Sequence, residues 1–420
     1  MKGRVILVQR RLRNEKNMLY ELRELAESAG YIVVDEIEQV RPPDPKYNIG
    51  RGKVEELKTI VYEKDVEKVI FFNELKPSHA YNLRKALRVD VIDRFELILE
   101  IFANRAGSKE AKLQIELARL KRELSFAKEY ISLAKRGELH GFLGGGKYAV
   151  DAYYTYVNSR ISKIERELEK IRRQKNNRWK KRVKAGLYTV ALTGYTGAGK
   201  TTLFNRLTGQ NRYIDGKPFA TLSTVSKRIR INGLPILVSD TIGFIDSLPE
   251  TLFDAFYTTL GESTLADLLL LVVDISEPEE EIKRKILASV STLYSLAIPK
   301  SKILLVANKI DKINKAEREA KRSILEKYTR NIVEISALNG EGIEELKEKI
   351  LEMLPERTLE KIYIETKTHR NIIKEIESKC RIVSIKPLDG GIIELTIEGR
   401  KEVIEKYKRR VENVVLEAKT

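Results

Sequence analysis

The stretch Gly194-Tyr195-Thr196-Gly197-Ala198-Gly199-Lys200-Thr201 decides the fold of this chain. It directly follows an apolar run at residues 187–193, which predicts a buried strand, and it precedes a segment that predicts a helix. Glycines at this spacing let the backbone wrap so that its N–H groups point at an anion, and the helix N-terminus adds its positive dipole end. The stretch therefore predicts a phosphate-binding loop in an α/β domain.

The polar residues that close this loop predict its chemistry. Lys200 is expected to supply a point charge to the β- and γ-phosphates, and the Thr201 hydroxyl is expected to bind Mg²⁺. Thr202 follows in the first turn of the helix and is included in the predicted nucleotide site. The strand before and the helix after make the pattern much more specific than the spacing alone.

A second motif ends the next long apolar strand, at residues 236–240. The segment Asp240-Thr241-Ile242-Gly243 would place the Asp240 carboxylate near the metal and the N–H of Gly243 where the γ-phosphate lies.

Two further motifs predict that the base is guanine. Asn308-Lys309-Ile310-Asp311 follows a strand at 303–307, and a carboxylate at Asp311 can accept from guanine N1–H and the N2 amine, which adenine does not supply. Ser336-Ala337-Leu338 completes the base pocket after a strand at 332–335. Four ordered motifs, each at the carboxyl end of a strand, predict a GTP-binding and GTP-hydrolysing switch domain at residues 185–355.

The segment between the phosphate loop and Asp240 supplies the second candidate metal ligand. It contains Phe219-Ala220-Thr221, and Thr221 is the preferred hydroxyl ligand of Mg²⁺, with Thr224 as the alternative. Phe244 occupies the place where many switch GTPases carry a water-orienting Gln, so slow intrinsic hydrolysis is expected; packing of Phe244 in a core is the other interpretation. The predicted catalytic residues are Lys200, Thr221, Gly243 and Phe244.

Positive charge is concentrated in one segment. The chain has a formal net charge of +17, and residues 109–184 hold 21 Lys/Arg against 9 Asp/Glu, a net +12. Leucines and isoleucines at spacings of three and four run through this segment on both sides of a glycine-rich break, which predicts two helices folded into an antiparallel hairpin with an apolar seam. The charge must then face outward and favours a polyanionic partner.

The whole chain is predicted to be α/β and multidomain. Residues 1–108 alternate strands and helices and predict a small parallel α/β sheet, followed by the helical hairpin at 109–184 and the G domain at 185–355. Residues 356–420 predict a small C-terminal α+β block. The single cysteine, Cys380, favours a reducing compartment, and neither a signal peptide nor a membrane span is evident, so a cytoplasmic location is expected.

Beyond these motifs the sequence resembles the HflX-type GTPases, a family associated with the large ribosomal subunit. The resemblance rests on residues 91–106 (VIDRFELILEIFANRA), on residues 110–117 (EAKLQIEL), and on 240–245 with Leu248-Pro249 and 254–256. It implies a GTP-dependent factor of archaeal type that acts in ribosome recycling or rescue and whose N-terminal sheet and hairpin dock on rRNA. The protein is also expected to be a monomer and to have no DNA partner. It also implies that the family's hydrophobic residue in place of the catalytic Gln is Phe244.

One region departs from the family pattern, and two other functions are compatible with parts of the sequence. Bacterial members carry an R-G-P-G-E-type loop where residues 144–151 read GGGKYAVD, so contacts assigned to that loop are in question. A signalling GTPase with a protein partner would use the hairpin as a dimerisation coiled coil. An RNA-remodelling ATPase would hold phosphate at Gly50-Arg51-Gly52-Lys53 in the N-terminal domain, although a plain loop before a helix is the simpler interpretation.

Overall fold

The computed structural model describes residues 2–135, 146–211, 225–240, 265–365 and 370–417. These residues belong to two compact units, one ending at Glu169 and the other beginning at Lys170. The boundary falls inside one long helix, and the C-terminal block shares a unit with the G domain. The bounds of the four domains drawn from the sequence stay predictions.

The first unit contains a four-stranded sheet in the order β2-β1-β3-β4, with every neighbouring pair parallel. This sheet confirms the small parallel sheet that the sequence predicts for the N-terminal part of the chain. The bounds are β1 Arg4–Arg11, β2 Ile32–Val40, β3 Lys68–Phe71 and β4 Asp90–Asp93. Parallel strands need crossover helices, and these cover the sheet.

Four helices of this unit lie on the two faces of the sheet. They are α1 Leu19–Ala29, α2 Arg51–Glu63, α3 Pro77–Leu87 and α4 Arg94–Arg105. Helices α2 and α3 bury Leu57 and Leu83 in one core with Ile6, Val8 and Phe71 of the sheet, whereas α1 contacts α4 and β1.

The segment Gly50-Arg51-Gly52-Lys53, a candidate phosphate site, forms the N-terminus of α2. Arg51 begins α2 after an extended Gly50, and the Lys53 ammonium lies 2.6 Å from the Glu56 carboxylate. A phosphate function for Gly50-Arg51-Gly52-Lys53 stays a prediction.

Buried charges join the N-terminal sheet to the hairpin. The Asp93 carboxylate accepts from the N–H of Glu96, where it caps α4, and from the N–H of Leu75. Both oxygens also accept from the guanidinium of Arg122, one of them across 2.9 Å. Asp93 and Arg122 are both buried. The resemblance segment at 91–106 thus has a structural role, because it anchors the first hairpin helix on the sheet.

The two hairpin helices are α5 Lys109–Lys135 and α6 Gly146–Lys184. Their register is antiparallel, since Lys109 pairs with Glu167 at 2.8 Å and Glu116 pairs with Arg160 at 2.6 Å further along. The seam is apolar and lies inside the chain, with buried residues at Leu113, Leu117, Val157, Ile161, Ile164 and Leu168. The predicted hairpin and its seam are present in the described residues.

The second unit contains a six-stranded sheet in the order β10-β9-β8-β5-β7-β6. Neighbouring strands are parallel except β6, which is an antiparallel edge strand beside β7. The strands are β5 Tyr188–Gly194, β6 Val225–Ile231, β7 Leu234–Asp240, β8 Leu268–Asp274, β9 Ile303–Asn308 and β10 Ile332–Ile335. Strands β5, β8, β9 and β10 are buried throughout, as expected for a parallel sheet covered on both faces.

Among the described residues, four α-helices follow strands of this sheet in the sequence. They are α7 Lys200–Thr208, α8 Glu279–Ser295, α9 Lys315–Leu325 and α10 Ile343–Met353. Leu203, Phe204 and Leu207 of α7 pack with Leu346 and Ile350 of α10 in the central core.

The predicted C-terminal block is a three-stranded antiparallel sheet in the order β11-β13-β12, with two helices over one face. Its elements are β11 Arg357–Glu365, α11 Arg370–Lys379, β12 Arg381–Pro387, β13 Ile392–Arg400 and α12 Lys401–Glu417. Ile362, Ile376, Leu395 and Ile404 lie in its core, together with the thiol of Cys380, whose pKa burial raises to about 12.

This block is fixed to the G domain by a buried ion pair. The Arg400 guanidinium binds the Asp267 carboxylate, which also accepts from the N–H and the hydroxyl of Thr189 at 2.8 and 2.9 Å. The guanidinium also stacks 4.4 Å above the centre of the Tyr188 ring. On the edge strand β6, Arg230 donates to the carbonyl oxygen of Glu377 at the end of α11.

Candidate nucleotide-binding site

The candidate site lies at the carboxyl edge of the six-stranded sheet. Strands β5, β7, β9 and β10 end at Gly194, Asp240, Asn308 and Ile335, and each is followed by one of the motifs. Because these strands are parallel in one sheet, their carboxyl ends meet at one edge, where α/β proteins bind ligands.

The loop after β5 takes a backbone path that only glycine fits at two positions. Gly194 has φ +136°, and a Cβ there would lie 2.2 Å from the carbonyl oxygen of Val272 on β8. Gly199 has φ +95°, and a Cβ there would lie 2.2 Å from the side-chain nitrogen of Asn308. The glycine pattern therefore lets the loop approach two neighbouring strands closely.

Lys200 begins α7 and lies beneath this loop. Its ammonium donates to the carbonyl oxygens of Gly194 and Tyr195 at 3.0 and 2.7 Å, and the residue is 8% exposed. Burial lowers the pKa of Lys200 to about 8, while the Asp240 carboxylate acts in the opposite direction. A buried cation whose hydrogen-bond partners, among the described residues, are neutral carbonyls has an electrostatic preference for an anion in the loop.

Thr201 and Asp240 bring together two oxygen donors. The Thr201 hydroxyl donates to an Asp240 carboxylate oxygen across 3.2 Å, and Asp240 is fully buried at the end of β7. A hydroxyl and a carboxylate are the hard oxygen ligands that Mg²⁺ takes alongside substrate phosphates. These two side chains fit the predicted metal.

Asn308 connects the phosphate loop to the base loop. Its side-chain amide nitrogen donates to the carbonyl oxygen of Ala198 at 2.8 Å, and its side-chain oxygen accepts from the N–H of Ala337 at 3.0 Å. Asn308 is 2% exposed, so both hydrogen bonds are shielded from water. One residue thus fixes the distance between the two motifs.

Sequence reasoning did not single out Asp274, which ends β8 between the phosphate strand and the base strand. Its carboxylate lies 2.5 Å from the Lys309 ammonium and accepts from the hydroxyl of Ser276 at 2.6 Å. The rule that found Asp240 and Asn308, a polar residue at the carboxyl end of a buried strand, would have found it.

Tyr195, the second residue of the phosphate loop, makes contacts that the motif does not predict. Lys285 of α8 lies 4.7 Å and Arg284 lies 5.7 Å from the centre of its ring. Cations over an aromatic face at these distances are attracted by the ring quadrupole. These contacts fix the flank of the loop against α8.

The base-side residues lie at the same edge. Lys309 has a left-handed backbone at φ +70°, Asp311 follows it with an exposed side chain, and Ser336 and Ala337 are buried. Leu338 is 66% exposed. The exposed side chains of these loops therefore include the Asp311 carboxylate and the apolar side chain of Leu338.

Several predicted site residues lie outside the described residues. These are Phe219, Ala220, Thr221 with its alternative Thr224, Thr241, Ile242, Gly243 and Phe244. Their roles stay predictions.

Three family models match successive parts of the chain. They are described as "GTP-binding GTPase N-terminal" at residues 16–103, "GTP-binding GTPase Middle Region" at 105–182 and "50S ribosome-binding GTPase" at 189–309. The protein named GTPase HflX of Thermofilum pendens is 58% identical over 394 residues, which cover 94% of this chain and 93% of that protein.

The chain belongs to the HflX family of GTPases. The GTPase HflX of Thermococcus kodakarensis is 41% identical, with 96% of this chain and 91% of that protein covered. The GTPase HflX of Methanocaldococcus jannaschii is 44% identical, with 83% and 86% covered. As an HflX GTPase the chain binds guanine nucleotides and hydrolyses GTP, as its motifs predicted.

A solved structure agrees with this assignment. The chain is similar to the one described as "crystal structure of SsGBP and GDP complex", with a TM-score of 0.52 and 32% identity, covering 84% of this chain and 98% of that one. Among the helices of the described residues, none has both the length and the apolar composition needed to cross a membrane.

Proposed function

We propose that this HflX GTPase associates with the large ribosomal subunit, with rRNA phosphates bound by the basic face of its hairpin and with GTP as the switch. One observation carries the proposal. The last fifteen residues of α6, 170–184, include nine Lys and Arg and no Asp or Glu, and most of these cations are exposed.

The position of the apolar seam supports the same partner. Val157, Ile161 and Ile164 of α6 are buried inside the hairpin. Because the seam is already covered within one chain, a second chain is not required to bury it, and the protein is proposed to act as a monomer. The outward basic face is then available to a polyanion, and a cytoplasmic ribosome supplies a dense array of phosphates.

In the proposed nucleotide site, Mg²⁺ is held by Thr201, Asp240 and Thr221, with Thr224 as the alternative to Thr221. The ion would neutralise developing charge on the phosphates, while Lys200 and the loop N–H groups hold them in place. Thr221→Ala is expected to spare GDP binding and to weaken the Mg²⁺-dependent binding of a non-hydrolysable GTP analogue. If Thr224→Ala shows this pattern and Thr221→Ala does not, Thr224 is the Mg²⁺ ligand.

The test of ribosome binding is co-sedimentation of the full chain with purified large subunits, with a GTP analogue or with GDP, over a series of salt concentrations. We expect tighter binding with the GTP analogue and a steep fall with salt, with a log–log slope of about −0.7 to −0.9 for each phosphate contacted. Reversing the charges of Arg172, Arg173, Lys180 and Lys181 together is expected to weaken binding and to flatten that slope.

A matched control reverses four exposed cations of the same unit that lie on α12, namely Lys401, Lys406, Lys408 and Arg409. Both variants change the net charge equally, so only a local role of α6 separates them. Nucleotide binding should survive in both, since the motifs lie on the sheet. If the salt dependence of ribosome binding is unchanged in the α6 variant, the basic residues of α6 form only a solvated surface. If the chain does not sediment with the subunits but forms a dimer, the signalling interpretation is favoured.

A further inference from the structure

The base loop, residues 336–341, is held by its own backbone on one side. The N–H of Gly340 donates to the carbonyl oxygen of Ser336 at 2.8 Å. The N–H of Ser336 donates to the carbonyl oxygen of Glu341 at 3.0 Å. The N–H of Asn339 also donates to the Ser336 hydroxyl. These bonds close the turn, but they leave the carbonyl oxygens of Ala337 and Leu338 pointing out of it.

Arg206 binds both of these carbonyl oxygens. Its Nε donates to the carbonyl oxygen of Ala337 at 3.2 Å, and one of its terminal nitrogens donates to that of Leu338. The planar guanidinium presents its donors in a fixed fork, so two bonds to successive carbonyls set the orientation of the loop as well as its distance. A lysine in this place could reach the same oxygens only as a point charge on a flexible stem, so it would fix the orientation of the loop less well.

Arg206 lies on α7, the helix that Lys200 begins. It is six residues further along, or about 9 Å at the rise of an α-helix. The helix is rigidly packed, since Leu203, Phe204 and Leu207 are buried in the central core. A single rigid element therefore carries the phosphate-binding lysine at one end and the contact to the base loop further down.

Two side chains thus hold the base loop through the N–H and the carbonyl oxygen of one residue, Ala337. Asn308 accepts from the N–H of Ala337, and Arg206 donates to the carbonyl oxygen of the same residue. Leu338, the next residue, keeps 66% of its surface exposed and has no core to fix it. Its place beside the base then depends on the bonds that its backbone makes.

We propose that Arg206 is a positioning residue for guanine recognition, which fixes the Ala337–Leu338 peptide against the helix that binds the phosphates. It touches neither the base nor the reacting phosphate. Its loss should let the base loop move, so contacts to guanine weaken while contacts to the phosphates remain.

The test is the dissociation rate of a fluorescent GDP analogue from the full chain, with the ratio of GDP to ADP affinity measured by competition. In Arg206→Ala we expect GDP to dissociate about tenfold faster, as for a lost hydrogen bond to a charged donor. The GDP-to-ADP ratio should fall by a similar factor, because ADP depends on the phosphate contacts. Arg206→Lys should lie between wild type and Arg206→Ala.

The control is Arg322→Ala, which removes an exposed arginine of the same domain that pairs with Glu326 and Glu334. It should leave both quantities unchanged. The proposal is overturned if folded Arg206→Ala keeps both quantities within about twofold of wild type. It is equally overturned if the melting temperature falls while base discrimination stays the same, since that is a purely structural role. Should Arg206→Ala fail to fold, Arg206→Lys decides by the same two measurements.

Discussion

The side-chain amide of Asn308 donates to the carbonyl oxygen of Ala198 across 2.8 Å, although 110 residues separate them in the chain. The same side chain accepts from Ala337, so the phosphate loop and the base loop share one buried anchor. The absence of a side chain at Gly199 makes this approach possible. Recognition of the phosphates and of the base is therefore mechanically connected before any nucleotide binds.

Asn308→Ala should lower GDP affinity by at least tenfold and also lower the stability of the empty protein. Two buried hydrogen bonds are lost, and the carbonyl of Ala198 and the N–H of Ala337 are left without this partner, at about 1–3 kcal/mol for each buried group. Urea unfolding with and without GDP separates the two effects. A variant with wild-type GDP affinity would show that the anchor serves stability alone.

Nucleotide affinity should fall as the pH rises above about 8, because of Lys200. Burial lowers the pKa of this lysine to about 8 in the empty site. Bound phosphates favour its charged form and raise the pKa, so above pH 8 binding must take up a proton, and affinity then declines by up to about tenfold for each pH unit. Calorimetry of GDP binding in buffers of different ionisation enthalpy measures that uptake.

The control for this pH effect is Lys200→Arg, which stays charged throughout and should show no uptake near pH 8. Absence of uptake in the wild-type protein would mean that Lys200 keeps its proton in the empty site. Lys200→Ala should abolish hydrolysis and strongly weaken binding, since the buried cation is lost.

Base specificity should rest on Asp311. Asp311→Asn exchanges a group that only accepts hydrogen bonds for an amide, so guanine loses its partner while xanthine gains one. We expect GTP affinity to fall by about a hundredfold or more and xanthine nucleotides to be preferred. Competition between GTP and XTP measures the exchange, and unchanged GTP affinity would contradict the pocket assignment.

Phe244 should limit intrinsic turnover by keeping water from the in-line position until the switch region rearranges. A phenyl ring cannot orient water as the Gln of many switch GTPases does. Basal GTP hydrolysis is therefore expected to be slow, and Phe244→Ala should raise it without altering GDP affinity. Equal or lower single-turnover rates in the variant would argue against gating and for simple packing.

Arg400 should contribute strongly to stability. Arg400→Met leaves Asp267 buried with a charge whose remaining partner, in the part of the chain that the structure describes, is Thr189. Breaking a buried pair in this way costs about 3–5 kcal/mol. Urea unfolding of the full chain gives the change. The double variant Arg400→Met with Asp267→Asn should recover much of the loss, because no unpaired charge stays buried; a double variant as unstable as the single one would assign the effect to packing on Tyr188.

The sequence by itself determined the fold class and the edge of the sheet at which the four predicted nucleotide motifs lie. Apolar runs that end in polar residues predict the strands. Because the strands that carry the motifs are parallel, their carboxyl ends lie at the same edge of the sheet. The seam of α5 and α6 was equally readable, since Ile161, Ile164 and Leu168 repeat at helical spacing. These features are local in the chain, so local patterns predict them.

The tertiary structure alone decided which distant residues meet. Arg206 and Leu338 are 132 positions apart in the sequence, and Arg400 and Asp267 are 133 positions apart. Arg122 and Asp93, which also bind each other, lie on different secondary structure elements. Nothing in the local pattern of an exposed helical arginine distinguishes Arg206 from its neighbours. Such pairs depend on how whole elements pack against one another. Because that packing results from the burial of many apolar side chains together, it cannot be predicted from any single stretch of sequence.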